Sequence, residues 1–197
     1  MGFAMARRKK FGIKDIVEAG FQVVRKSGME NLTARAIALE LGSSTMPIYT
    51  CVNSMREVEE AIVKRAWRVL QSYQIKPRSG DVFIDMGLGY VLFAKDEKFL
   101  FKCIHDEKYG DINTRHSEAN FAFNMERMAD CPLTKHLSPE SLQQLLFQGF
   151  LFSHGFASLL NSGMGSSVRM LDSEEAITQF FKQASAIAWT GLQSAIF

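Results

Sequence analysis

One period governs this chain. From Ile13 onward, apolar side chains recur every three or four positions, and no run sustains the two-residue alternation of a half-buried strand. A chain that never alternates offers no face on which to build a sheet, so the pattern predicts an all-α fold. With 197 residues it is long enough for a core of real size, or for two small ones. The apolar fraction of 47% and the 4 Pro are those of a globular chain, not a disordered one.

The periodicity divides into helices at residues with local reasons to stop. Ile13, Ile16, Val17, Gly20, Phe21 and Val24 share one face of a helix over 12–27, which Gly28 terminates. Thr33 caps a second helix, "ARAIALELG", that stops at Gly42. Ser44 is the expected cap of a third, short helix with Pro47 in its first turn, where a missing N–H does no harm. Ser54 with Glu57 forms a capping box for a fourth helix reaching about residue 75. "KPRSG" (Lys76–Gly80) is the best linker candidate, and further helices are expected near 81–94, 96–106, 113–130, 139–162 and 173–195.

The charge is uneven. Residues 1–75 carry a formal +5 and residues 76–197 a formal −3, which suggests a polyanion-binding end. Two short helices joined by a Gly-containing turn behind a support helix make a helix-turn-helix, whose second helix offers its first residues to a DNA major groove. In that helix Ile48 points back into the core. Tyr49 has an apolar body that packs and a hydroxyl that reaches a phosphate. The basic run Arg7, Arg8, Lys9 and Lys10 precedes the first helix as an arm for the DNA backbone or minor groove.

The stretch 13–66 resembles the DNA-binding domain of TetR-family transcriptional regulators. The resemblance is carried by Ala19 and Phe21, Gly28, Thr33, Ile37-Ala38, Leu41-Gly42, Ser44, Ile48-Tyr49 and Val58; "FSHGFASLL" resembles a His-Gly segment in the penultimate helix of many members. The likeness implies an N-terminal arm and helix-turn-helix domain over 1–54, a connecting helix over 55–75, and an effector-binding and dimerisation domain over 76–197. It implies phosphate contacts from Thr33 and Tyr49, and base contacts from Thr45, Met46, Pro47 and Thr50 beside the capping Ser44. It also implies a homodimer through the helices near 139–162 and 173–195. Cys51 and Met55 stand where members carry His or Tyr and Lys; Arg56 is the nearest replacement for that Lys.

The remaining chemistry is sparse. The 4 His show no metal-ligand spacing, Ser153 and His154 are neighbours that diverge on a helix, and "GMG" is too short for a phosphate loop. No acid, base and nucleophile converge, so no enzyme, metal or cofactor is expected. The 3 Cys lack a C-x-x-C pair, the N-terminus lacks the apolar run of a signal peptide, and no run is apolar enough to span a bilayer, so a cytoplasmic protein is expected. Met and Phe crowd the second part, and both suit an adaptable apolar cavity. Met86, Tyr90, Phe93, Phe101, Phe121, Met125, Phe150 and His154 are its expected lining. The expected function is a repressor released from double-stranded operator DNA by an apolar or aromatic effector; the alternative is a helical ligand-binding or interaction protein with weakened DNA binding.

Overall fold

The computed structural model describes residues 11–162, 171 and 173–196, the stretch 187–196 by its backbone alone. The described residues form an all-helical chain: α1 (Ile13–Ser27), α2 (Ala34–Leu41), α3 (Met46–Cys51), α4 (Met55–Ile75), α5 (Val82–Asp96), α6 (Lys98–Cys103), α7 (Gly110–Ala129), α8 (Pro139–Asn161) and α9 (Glu174–Ile196). The basic run Arg7 to Lys10 and "GMG" lie outside the described residues.

Local chemistry sets the boundaries. Gly28 (φ 90°) and Gly42 (φ 62°) take positive φ, where a Cβ is disfavoured, and so end α1 and α2. The Thr33 hydroxyl accepts the Ala36 N–H at 3.0 Å. The start of α3 differs from expectation: Thr45, not Ser44, is the flanking residue, and no side chain caps it. Thr45 is already helical (φ −73°, ψ −15°), and Pro47 removes one N–H that would need a cap. The α4 box also differs. Ser54 Oγ accepts the Glu57 N–H at 3.3 Å, but Glu57 Oε2 takes the Asn53 N–H at 3.0 Å and Asn53 Nδ2 at 3.2 Å. The expected helix over 96–106 is shorter: α6 ends at Cys103, and a 3₁₀ turn over Glu107–Tyr109 leads into α7.

The Lys76–Gly80 stretch is pinned. Asp85, 5% exposed, accepts both the N–H and the hydroxyl of Ser79 at 2.6 Å each. Arg78 Nη1 donates to the Tyr73 carbonyl at 2.7 Å. Such bonds hold the α4–α5 corner in one geometry.

One core cluster runs from Ile16, Ile37 and Ile48 of the first three helices through Val58, Ile62 and Leu70 of α4 to Phe93, Leu100 and Tyr109. No change of core marks residue 75. Two further clusters pack α5 against α8 and α9, and α5 against α7 and α8. Gly89 lets α5 approach α4 closely: a Cβ there would overlap the Tyr73 carbonyl.

Candidate functional site

Two regions remain once the core is accounted for. The first is the tip formed by α2 and α3. Ile48 is fully buried, while Met46 and Tyr49 beside it are 65% and 68% exposed. Cys51 of the same six-residue helix packs partly against that core, and Met46 and Tyr49 turn away from it. Ser44 and Thr50 are exposed as well, and Thr45 and Pro47 are half-buried. Thr50 spends its hydroxyl on the Met46 and Pro47 carbonyls at 3.2 and 3.0 Å. Thr33 is exposed and uses its oxygen only as an acceptor in the cap, which leaves its O–H to donate outward. Arg35, exposed in the first turn of α2, joins this surface; nothing in the sequence pattern singled it out. Cys51 donates to the Phe11 carbonyl at 3.3 Å.

Arg56 faces elsewhere. Its guanidinium pairs with Glu60 at 2.9 Å, reaches the Lys108 carbonyl at 3.4 Å and lies 5.1 Å from the Tyr109 ring centre. Lys108 in turn pairs with Glu59 at 3.1 Å. Together with the Arg25–Glu97 ion pair from α1, these contacts tie the N-terminal helices to the rest of the molecule.

The second region is a cavity of about 610 Å³ enclosed mainly by α4, α5, α7 and α8. That is the size of a site for a small organic molecule. Of the residues named as an effector lining, Met86, Tyr90, Phe121 and Phe150 line it. Phe93, Phe101, Met125 and His154 stand behind its wall. Phe93 is fully buried in the main core, Phe101 lies tilted against His105 with ring centres 4.5 Å apart, and Met125 packs against the cluster that holds Met128 and Leu142.

His154 acts through Tyr90, whose hydroxyl lies 2.8 Å from His154 Nδ1 and 3.0 Å from His105 Nε2. His105 Nδ1 lies 2.8 Å from the Phe101 carbonyl, which can only accept, so that nitrogen carries the proton. In neutral His105, Nε2 then accepts from Tyr90, and Tyr90 accepts from His154 Nδ1–H. Burial lowers the His105 pKa; the Phe101 bond opposes it and the neighbouring His154 adds to it. Burial also pushes the Tyr90 phenol well above its ordinary value, so both groups stay neutral.

The polar wall has no counterpart in the expected lining. Gln74 of α4 and Asn113, Ser117, Asn120 and Asn124 of α7 face the cavity. Trp67, also in the lining, donates Nε1–H to Asn113 Oδ1 at 3.0 Å. Other chemistry is thin. No group of three His, Cys, Asp or Glu comes together to hold a metal among the described residues. Burial pushes the Cys103 thiol up to about 12, which makes it a poor nucleophile. No described helix is long and apolar enough to cross a membrane. No known family's sequence profile matches the chain, and no curated protein matches its sequence.

Proposed function

We propose that the chain is a ligand-responsive, DNA-binding transcriptional regulator of the TetR type. The observation that carries this reading is the α3 tip. Ile48 is held at zero exposure while Met46, Tyr49 and Ser44 are exposed, as is Thr33 at the start of α2. Short and amphipathic side chains on such a tip suit a major groove, with Tyr49 and Thr33 on phosphates and Thr45, Met46 and Pro47 toward bases. Arg7 to Lys10 add a basic arm.

The mechanism is a population shift. α4 carries Val58 and Ile62 in the core shared with the tip, and Trp67 and Gln74 on the cavity. A ligand that binds one α4 position better than another biases the placement of two tips in a dimer, whose half-sites lie about 34–36 Å apart. The dimer surface lies on α8 and α9, where Phe147, Leu151 and Phe180 are 52%, 53% and 37% exposed.

The test is a mobility-shift titration of the DNA upstream of the protein's own gene across salt. Tyr49→Ala and Thr33→Ala each weaken binding, and each flattens the log–log salt slope by about 0.9 if it frees one phosphate. A wild-type chain that never shifts this DNA favours the second reading, a helical ligand-binding protein. The inward engagement of Arg56 and the spent Thr50 hydroxyl support that second reading.

A further inference from the structure

α7 turns a polar stripe into a cavity whose opposite wall is aromatic. Asn113, Ser117, Asn120 and Asn124 are three or four residues apart and share one helical face. Asn113, Asn120 and Asn124 are only 9%, 9% and 4% exposed. Buried amides ordinarily find partners, and Asn113 has them: Trp67 donates to its oxygen, while its nitrogen donates to the Cys103 and Asp106 carbonyls at 3.4 and 3.2 Å. Asn124 gives its nitrogen to Gln74 Oε1 at 3.5 Å. The Oδ1 atoms of Asn120 and Asn124 are buried without a partner. Both residues belong to the cavity lining, one helical turn apart.

We infer that a small, neutral aromatic ligand turns these amides toward itself and completes their oxygens, a phenol O–H satisfying one and the two N–H of an arylamine both, with its ring against Phe83, Phe150 and Phe152. Carbonyl oxygens select a donor and reject an acceptor. Among the described residues the lining includes Asp106, Glu107 and Glu118 but no Lys or Arg, so an anion meets like charge there. The inference rests on the proposed function only in treating the cavity as its ligand site, and it narrows the expected apolar effector to one with a donating edge.

Calorimetric titration of the full chain with naphthalene, 2-naphthol and 2-naphthoate tests it. A purely apolar cavity prefers naphthalene, because the naphthol hydroxyl loses water and gains nothing. The inference expects the reverse: 2-naphthol binds roughly tenfold tighter than naphthalene, the worth of one buried hydrogen bond, and 2-naphthoate binds weakest. In the double variant N120L/N124L the naphthol preference disappears, while naphthalene binds at least as well as to wild type, which shows an intact cavity. Equal binding of naphthol and naphthalene by wild type, tightest binding by naphthoate, or binding of none of the three overturns the inference. Each result is read without DNA. A chain that prefers naphthol but never shifts operator DNA loses the regulator reading alone, and one that shifts DNA without the preference loses the ligand class alone.

Discussion

Single side chains decide more here than their exposure suggests. Gly89 shows how little room separates α4 from α5, because its missing Cβ is replaced by the Tyr73 carbonyl, a backbone atom that cannot swing aside. Gly89→Ala therefore forces the helices apart. It lowers stability by about 1–3 kcal/mol, the usual range for overpacking, measured by urea unfolding. His105 gives a second expectation. Its pKa is lowered in the folded chain, chiefly by burial, so the unfolded chain binds more protons between the native value and the ordinary value near 6.5. Stability is then full above the ordinary value and falls as pH drops toward the native one. Lys64, Arg115 and Arg68 beside His116 lower that imidazole further after its own desolvation, so it contributes a slope of the same sign. Urea titrations at pH 7.5 and pH 5 compare wild type with His105→Gln, whose amide can still accept from Tyr90. The variant loses less stability on acidification. An unchanged slope would mean that His105 titrates normally.

At the scale of the helix, the sequence discloses what local rules control. Apolar spacing places α1, α4, α8 and α9 within a residue or two, and local signals mark several boundaries: Gly28 ends α1, while Ser54 and Ser138 cap the starts of α4 and α8. α7 is legible as a helix but not by its facing. Polar residues at helical spacing ordinarily form a solvated face, and only packing reveals that Asn113, Asn120 and Asn124 look inward. The Tyr90–His154 pair, 64 residues apart, is equally hidden, since no local pattern brings two such positions together. The start of α3 departs from the capping rule for a different reason: Pro47 relieves the need for a cap. α4 joins the two regions, and Trp67 is its contact with the polar wall. Trp67→Phe removes the Nε1 donor and leaves Asn113 Oδ1 buried and unpaired. It destabilises by about 1–3 kcal/mol in urea and changes the ligand affinity of the cavity more than it changes DNA affinity in the absence of ligand.

For the whole molecule the question is what covers α8. Phe147, Leu151, Gly155 and Ser158 follow one another at intervals of three or four along an exposed stripe, and among the described residues no atom outside the adjoining turns of α8 lies within 4 Å of where a Gly155 Cβ would stand. On α9, Phe180 is 37% exposed while its ring stacks on Phe156, with centres 5.4 Å apart. A solvent-facing face this apolar is explained by a partner more readily than by water. In a two-fold dimer the same stripe meets itself, and Gly155 lets the two α8 helices approach closely. Leu151→Asp then places a carboxylate opposite its own copy. On the proposed dimer, the variant is expected to sediment as a monomer at micromolar concentration and wild type as a dimer. Because a single tip reaches only one half-site, operator affinity falls by far more than it does in Tyr49→Ala. Leu151 is not part of the cavity lining, so naphthol binding persists in the monomer. A variant that remains dimeric, with operator affinity intact, would place the contact between copies on another face.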